Sequence, residues 1–426
     1  MRRLGRHVPD LRRLLQRDRL LGRDVPVETR PFRLPRVVKS LGWVSLLTDV
    51  ATEMVYPLLP VFLQSIGGGA QALGLMEGIA ESVSAGVKWV SGRSSDARSR
   101  KPFVLAGYAL ATAVRPLLAV ATSPWHVIAI RTTDRIGKGI RSAPRDAIVA
   151  HSVPSARRGH AFGFHNMMDN IGAALGPLLA FALVRGLGWP LRTVFAATLL
   201  PGLLAGAVIV WGVKEPEAAT SQPPENARAS KDARPVLPAK LRAYLALVAV
   251  FTLGASADSF LMLRMSDLGL ATAWIPIAWI SLNASKALLN IPGGKISDRF
   301  GRARTQVAGW FVYAAAYALF PMTRSVALTW LLVVAYGAYY GLTEGGEKAL
   351  VADLAPPELR GRAYGALHAV TGLAVLPANA IFGALYAHHA QLAFLTSSGC
   401  ACAAAIGLTI LARRSETSGE VRLVAS

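Results

Sequence analysis

The composition of this chain excludes an ordinary soluble protein. Of its 426 residues, 53% are hydrophobic and only 17% are charged, whereas soluble domains carry about a quarter charged residues. A polar surface could not cover so much apolar chain, so we expect an all-α integral membrane protein whose helices cross the lipid bilayer. The net charge of +21 would suit a nucleic-acid partner. No motif of a nucleic-acid-binding fold accompanies it, however, and we expect no nucleic-acid partner.

The first 39 residues are basic. They hold twelve Lys or Arg residues and four acidic residues, and no apolar run begins before Leu41. A cleavable signal peptide needs such a run near the N-terminus. We therefore expect residues 1–39 to form a disordered cytoplasmic arm. The alternative is an arm held on anionic lipid head groups, where each basic residue contributes about 1 kcal/mol.

Apolar runs long enough to cross the bilayer recur from residue 40 onward, since a helix of about 20 residues spans the hydrocarbon core. We predict twelve spans, at roughly 40–64, 70–90, 103–122, 124–147, 160–186, 190–213, 241–264, 272–292, 305–322, 326–350, 363–387 and 390–412. Residues 214–240 are rich in Pro, Glu, Ser and Ala, a composition typical of a flexible linker. They divide the chain into six-helix bundles at 40–213 and 241–412, followed by a cytoplasmic tail at 413–426.

Basic residues concentrate in every second predicted loop. Examples are Arg93, Arg98, Arg157, Arg304 and Arg360, and the intervening loops hold few such residues. An excess of Lys and Arg marks the cytoplasmic side of a membrane protein. We therefore expect a multi-pass protein of the cell inner membrane, with the linker and both termini in the cytoplasm.

Two stretches of the chain repeat one another. Residues 92–101 align with residues 294–303, and the acidic residues of the two copies lie 202 positions apart (298 − 96 = 202). The register holds through two further pairs of segments, 145–154 with 347–356 and 158–163 with 360–365. An unbroken register over more than fifty residues indicates two copies of one unit, and therefore two pseudo-symmetric bundles of the kind found in transporters.

The turns within this repeat resemble a motif of the major facilitator superfamily of transporters. The family pattern between the second and third spans is Gly, three residues, Asp, Arg, one residue, Gly, Arg, and then Lys or Arg. The matching residues are Gly92, Asp96, Arg100 and Lys101 in the first copy and Gly294, Asp298, Arg299, Gly301 and Arg302 in the second. The resemblance implies a gate on the cytoplasmic side, because a carboxylate at a helix end can pair with basic residues and with a neighbouring helix N-terminus.

A second pattern resembles the antiporter branch of this family. In the fifth span Gly163 is followed by Gly172 and then by Gly176 and Pro177. Small residues let helices approach closely, and a proline can kink a span. The resemblance implies export in exchange for another solute or ion, and the alternative is helix packing without a specific role.

The fourth span carries more charge than a lipid-facing helix can. Arg131, Asp134, Arg135, Lys138 and Arg141 lie on or beside one helix face. Charges that face lipid are costly, so we expect this face to line a wet central cavity or to pair with carboxylates on other helices. Because guanidinium groups hold carboxylate or phosphate through two contacts, we predict that Arg131 and Arg141 bind substrate, with Asp134 and Lys138 beside them. Interhelical ion pairs are the alternative.

Part of this span resembles a pattern of proton-coupled antiporters, in which Arg is followed after two residues by Gln and Gly. Here Arg135 and Gly139 match, and Lys138 replaces the Gln. The resemblance implies a role in proton transfer for Arg135.

Carboxyl groups are available on the first span and in the second half of the chain. Asp49 and Glu53 are four residues apart and so stack on one helix face. Desolvation favours the neutral form of such groups, which could then load and release a proton as the cavity changes sides. Cation binding, or neutralisation of Arg131 and Arg135, are the alternatives. In the second half we predict Asp258 and Glu344 as substrate or proton groups, because the resemblance implies that spans one, four, seven and ten line the cavity.

Together these patterns predict a secondary active transporter that works by alternating access. We expect proton-coupled export of a small anionic or zwitterionic solute. Proton-coupled uptake of an organic anion or phosphate ester is one alternative, and a non-transporting membrane sensor is an alternative of another class. The sequence shows no catalytic nucleophile, metal-ligand cluster or nucleotide loop, so we expect no enzyme activity, cofactor or metal. The expected partners are the small-molecule substrate, protons and the bilayer, and we expect a monomer.

Overall fold

The computed structural model describes residues 34–95, 99–154, 158–213, 237–356 and 359–417. These ranges contain fifteen α-helices and no strand. The helices are α1 Arg36–Glu53, α2 Leu59–Ser65, α3 Ala70–Ser95, α4 Lys101–Val114, α5 Pro124–His151, α6 Arg158–Phe181, α7 Leu191–Ala197, α8 Leu199–Gly212, α9 Ala239–Gly254, α10 Ser259–Asp267, α11 Ile275–Phe300, α12 Arg302–Leu319, α13 Val326–Leu354, α14 Arg360–His388 and α15 Ala390–Thr417. The predicted all-α class is confirmed.

Eight helical stretches among the described residues are long and apolar enough to cross a membrane. They are Arg36–Ser65, Lys101–Val120, His160–Gly186, Leu191–Gly212, Ala239–Asp267, Val326–Leu354, Arg362–His388 and Ala390–Arg413. Helices α3, α5, α11 and α12 coincide with four further predicted spans but fall outside this set. In α5 seven charged residues between Arg131 and Asp146 lower the hydropathy. The count of twelve spans therefore stays a prediction.

The helices pack in one pattern in both halves of the chain. In the first half α1 packs on α6 and α8, and α5 packs on α3 and α4; in the second half α9 packs on α14 and α15, and α13 packs on α11 and α12. The contacts between the halves follow the same relation, since α3 packs on α14 and α6 packs on α11. The sequence repeat is therefore also a repeat of packing. The predicted domain boundaries stay predictions, and most of the arm, the linker and the tail lie outside the described residues.

The first and seventh predicted spans are each broken. Helix α1 ends at Glu53 and α2 begins at Leu59, while α9 ends at Gly254 and α10 begins at Ser259. In the second break the Ala257 amide donates to Asn379 Oδ1 at 2.9 Å. Backbone that leaves a helix at membrane depth needs such partners, because lipid offers none.

Glycines allow α6 to lie directly on α1. A Cβ atom on Gly172 would lie 2.6 Å from the carbonyl oxygen of Leu46, and one on Gly176 would lie 2.7 Å from that of Val50. Carbon and oxygen atoms do not approach so closely without a shift of one helix. At Gly163, by contrast, an added Cβ would meet no atom within 4 Å, and Pro177 lies inside the helix.

The bundle has two ends that differ in how the halves meet. We call the end with the predicted gate turns the charged end, and the other, where residues 66–69 and 268–271 lie, the opposite end. At the opposite end Gln64 Nε2 of the first half donates to Asp267 Oδ1 of the second at 2.9 Å. Nearby, the rings of Phe181 and Trp274 lie 5.2 Å apart. These contacts join the two halves at the opposite end.

Candidate functional site

The first half contains a buried ion-pair cluster. Arg115 Nη2 lies 2.6 Å from Asp134 Oδ1, and Arg131 Nη1 lies 3.6 Å from Asp134 Oδ2. The Arg131 guanidinium also lies over the Tyr56 ring, 4.4 Å from its centre. Because all three charged side chains are nearly inaccessible, each depends on the others for compensation of its charge. The structure thus brings Arg131 and Asp134 together, and their role in substrate binding stays a prediction.

The remaining charges of α5 also have identifiable surroundings. Arg135 Nε lies 3.1 Å from Glu81 Oε1 on α3, and the Arg141 guanidinium lies 4.4 Å from the centre of the Tyr108 ring on α4. Lys138 is exposed. Most of the charged face of α5 therefore packs against α3 and α4, and of the five predicted residues Lys138 is the accessible one.

The predicted acidic pair lies where α1 meets α6. Cβ atoms built on Gly172 and Gly176 would lie 2.9 Å and 2.8 Å from the Cβ atoms of Asp49 and Glu53, respectively. Glu53 Oε2 accepts a hydrogen bond of 2.8 Å from Trp279 Nε1 on α11. This bond crosses from the first half to the second. Glu53 therefore has a hydrogen-bond partner in the other half, while Arg131 and Arg135 pair with Asp134 and Glu81.

A second polar cluster surrounds Asp258, the last residue of the break in the seventh span. Lys286 Nζ lies 2.5 Å from Asp258 Oδ2. Tyr336 Oη donates to Oδ1 at 3.0 Å, and Tyr340 Oη lies 3.1 Å from both carboxylate oxygens. The sequence singled out Asp258, but Lys286 and the two tyrosines were not among the predicted site residues. The four-residue spacing of two tyrosines on α13 could have indicated paired hydroxyl groups on one face.

Lys286 and Glu344 line a cavity of about 470 Å³ between α6, α11 and α13. The lining residues are Asn170, Ala173, Ala174, Ile280, Asn283, Ala284, Lys286, Ala287, Asn290 and Glu344. Glu344 is exposed and accepts a hydrogen bond of 3.2 Å from Asn290 Nδ2. The described residues hold no group of three or more His, Cys, Asp or Glu side chains that could bind a metal ion. Charged side chains of both signs and side-chain amides line this cavity.

The two copies of the predicted gate make equivalent contacts at the charged end. Arg100 Nη1 lies 3.2 Å from His151 Nδ1. In the second copy Arg302 Nη1 lies 2.5 Å from Asp353 Oδ1, and both positions are related by the repeat offset (302 − 100 = 353 − 151). Each arginine thereby connects the start of one helix to the end of α5 or α13.

The other gate residues are less informative. Gly301 has a φ of +91° and ends α11, a conformation that favours glycine. Lys101 Nζ lies 3.5 Å from the carbonyl oxygen of Val210, and Arg299 lies over the Phe300 ring. Gly92, Gly294 and Asp298 lie within α3 and α11, the side chain of Asp298 is not described, and Asp96 lies outside the described residues. A gating role for these residues stays a prediction.

Known transporters are similar to this chain over most of its length. The sequence profile of the Major Facilitator Superfamily matches residues 41–285 and 265–425. An uncharacterized MFS-type transporter of Methanocaldococcus jannaschii is 32% identical over 375 residues, which cover 86% of this chain and 92% of that protein. Multidrug resistance protein MdtH of Enterobacter sp. (strain 638) is 24% identical over 341 residues, covering 77% of this chain and 82% of its own.

Solved structures agree on the fold. The nucleoside transporter NupG superposes with a TM-score of 0.75 at 14% identity, covering 88% of this chain and 99% of its own. A bacterial homolog of the human lysosomal transporter Spinster, in an inward-facing conformation, superposes with a TM-score of 0.66 at 15% identity, covering 89% of this chain and 96% of its own. At such identities the likeness concerns the fold alone. Taken with the profile match along nearly the whole chain, it establishes that this protein belongs to the Major Facilitator Superfamily and is a membrane transporter, not an enzyme.

Proposed function

We propose that this protein is a secondary active transporter that exports a small zwitterionic solute in exchange for protons, by alternating access. The observation that carries the proposal is the 2.8 Å hydrogen bond between Glu53 of the first half and Trp279 of the second. A carboxyl group that bonds across the two halves has a different environment in each state of the transporter. Its proton can therefore be linked to the conformational change.

The direction of this linkage follows from hydrogen-bond strength. An ionised carboxylate accepts a hydrogen bond roughly twice as strong as a neutral carboxyl group does. Ionised Glu53 therefore favours the state in which Trp279 is near, with the opposite end closed. Protonated Glu53 releases Trp279 more readily and favours opening of that end. A proton taken up from the opposite end is thus released after that end closes, as exchange for an exported solute requires.

The packing of α6 supports the same assignment. Gly172 and Gly176 bring α6 onto the two carboxyl-bearing residues of α1, Asp49 and Glu53. These glycines belong to the pattern that resembles antiporters. Similarity to a multidrug resistance protein also favours export over uptake.

The charges within reach of the cavity favour a zwitterion over a simple anion. Arg131 and Arg141 are buried and contact Asp134, Tyr56 and Tyr108. The two charged side chains that line the cavity, Lys286 and Glu344, are of opposite sign. A solute with charges of both signs is complementary to such a surface, whereas an anion alone would face the Glu344 carboxylate.

The proposal is tested with the full-length protein in liposomes that contain a pH-sensitive dye. Addition of a transported zwitterion is expected to drive protons in the opposite direction. The Glu53→Gln variant is expected to exchange solute for solute while moving no protons, because the glutamine keeps an oxygen that can accept from Trp279 but cannot ionise. Proton movement at the wild-type rate in this variant would contradict the role of Glu53. Movement of solute and protons in the same direction would instead support uptake.

A matched variant distinguishes the effect of Glu53 ionisation from the effect of its hydrogen bond to Trp279. Trp279→Phe removes the donor and leaves the Glu53 carboxyl group in place. We expect this variant still to bind and release protons at Glu53 but to move fewer protons per solute, because the hydrogen bond that links ionisation to closure is gone. Loss of proton movement in Trp279→Phe, combined with its retention in Glu53→Gln, would overturn the proposal. A thermal-shift screen of the purified protein against metabolites identifies the solute to use in these assays.

A further inference from the structure

The break between α9 and α10 places Asp258 at a defined position. The Ala257 amide donates to Asn379 Oδ1 at 2.9 Å, and Ser256 Oγ lies within hydrogen-bond distance of Tyr317 Oη at 2.8 Å. These bonds attach the break to α14 and α12. In transporters, broken helices carry the polar groups that receive solutes and ions. Asp258 is the last residue of this break, so bonds from neighbouring helices to the break also hold Asp258 in place.

Asp258 and Lys286 form an ion pair in which the carboxylate has more hydrogen-bond partners than the ammonium group. The carboxylate of Asp258 receives hydrogen bonds from Lys286, Tyr336 and Tyr340. The Lys286 ammonium has three N–H donors, and the hydrogen-bond acceptor that the described residues give it is Asp258. Its other contacts are aromatic ring faces, with the centre of Tyr340 at 3.9 Å and that of Trp279 at 5.8 Å. Lys286 thus retains donors for a further anionic group.

Lys286 and Glu344 present opposite charges on one wall of the 470 Å³ cavity. On α11 Asn290 follows Lys286 by four residues, and on α13 Glu344 follows Tyr340 by four residues. Lys286 contacts Tyr340, and one turn further along both helices Asn290 contacts Glu344. Residues four apart on a helix are separated by about 5–6 Å between Cβ atoms. The two contacts, and with them the residues that carry the positive and negative charges, are therefore offset by about one helical turn along the helix axes.

We propose that this wall is the solute-binding subsite and that it selects a zwitterion carrying an ammonium and a carboxylate group about 5–6 Å apart. The solute carboxylate binds Lys286, and its ammonium group binds Glu344. Ile280, Ala284 and Ala287, which line the same cavity, cover the apolar chain between the two charges. Asp258 is a positioning residue that orients Lys286 and balances its charge. This inference rests on the proposed transport function and adds the chemical class of the solute and its contacts.

The specificity follows from the fixed charges. A simple anion at Lys286 would leave Glu344 facing it, and a simple cation at Glu344 would meet Lys286. Like-charge juxtaposition discriminates against the wrong solute more strongly than a lost contact does. A zwitterion with its charges close together would reach one group at a time. Spacing and charge together therefore define the solute.

The test measures binding at equilibrium to the purified full-length protein. Thermal shift and calorimetric titration are carried out with the ω-amino acids glycine, 4-aminobutanoate and 6-aminohexanoate, and with hexanoate and hexylamine as singly charged controls. We expect at least one of the two longer ω-amino acids to stabilise the protein, and glycine and both singly charged compounds to bind at least about tenfold more weakly. Equal stabilisation by hexanoate or hexylamine would overturn the proposal. So would the absence of stabilisation by every zwitterion of the series.

Two variants test the assignment of the contacts. Glu344→Gln changes an exposed side chain, so folding is not at issue, and it is expected to weaken binding of the longer ω-amino acids about tenfold or more. The double variant Asp258→Asn with Lys286→Met removes both charges of the ion pair and leaves no uncompensated charge. It is expected to fold and to lose binding. Wild-type affinity in either variant would overturn the proposal.

A matched control is Lys348→Met, which removes an exposed lysine one turn beyond Glu344 on α13 and should leave affinity unchanged. The measurement uses no proton gradient. Failure here would leave the result for Glu53 and proton exchange intact, and failure of proton exchange would leave this binding result intact.

Discussion

Asp134 is the carboxylate that compensates two buried arginines of the first half. Arg115, Arg131 and Asp134 are 4%, 5% and 5% exposed, respectively, so water screens their charges little. Their placement explains how a helix as charged as α5 can lie inside a membrane protein. Breaking a buried ion pair by removing one partner costs about 3–5 kcal/mol, because the other charge is left uncompensated.

We therefore expect Asp134→Asn to lower the stability of the protein by about 3–5 kcal/mol, measured as a loss of thermal stability in detergent. Asp353→Asn is the matched control, because the Asp353 side chain is 43% exposed in its pair with Arg302. An exposed pair contributes at most about 1 kcal/mol. If Asp134→Asn is as stable as Asp353→Asn but binds solute more weakly, Asp134 is a substrate residue and the ion pair is not its main role.

At the scale of elements, the contact between α1 and α6 determines how the acidic pair is presented. Two of the four predicted antiporter-pattern residues, Gly172 and Gly176, lie at this contact, and Gly163 does not. Helix α6 therefore offers a test position, Gly176, and a control position, Gly163. The sequence could indicate that these glycines pack a helix, but not which helix they pack against.

We expect Gly176→Ala to destabilise the protein by about 1–3 kcal/mol, as overpacking of a close contact does. Because the added methyl group would also displace Glu53, proton-coupled exchange should slow. Gly163→Ala should be neutral or stabilise by up to about 1 kcal/mol through helix propensity, since no atom lies within 4 Å of the new methyl group. Thermal stability and proton flux are measured on both variants. Equal values for the two variants would contradict this account.

At the scale of the whole molecule, the halves meet at the opposite end through Gln64 and Asp267. Asp267 Oδ2 also accepts a hydrogen bond of 2.7 Å from Tyr386 Oη, which holds the carboxylate in place. Alternating access requires that this end open once in each cycle. The structure therefore represents one of at least two states of the proposed cycle.

A reversible crosslink tests this requirement. In a background in which Cys400 and Cys402 are replaced by alanine, Gln64→Cys and Asp267→Cys are introduced together and joined with a short bifunctional thiosulfonate. We expect transport to stop on crosslinking and to return after reduction, because the closed end can no longer open. Each single cysteine variant treated with the same reagent is the control and should remain active. Undiminished transport by the crosslinked protein would show that this end need not open.

The sequence by itself determined the all-helical membrane class, the internal repeat and the family. These depend on local properties: a bilayer requires long apolar helices, and a duplicated unit keeps its spacing. Most predicted spans agree with helices of the structure to within a few residues. The breaks at 54–58 and 255–258 were not predicted, because the partners that satisfy the second break, Tyr313, Tyr317 and Asn379, are distant in sequence.

Only the tertiary structure decided which charges meet. The helical period places Arg131 on one face and Arg141 at its margin but does not say what covers them, and the fold brings Tyr56 and Tyr108 onto them. Lys286 stood out little in the sequence, yet the fold places it against Asp258. A charge in a membrane protein is governed by its nearest counter-charge, and for Arg115, Arg135 and Lys286 that counter-charge lies on another helix. Residue types and periodicity specify the helices, whereas their packing specifies the electrostatics of the site.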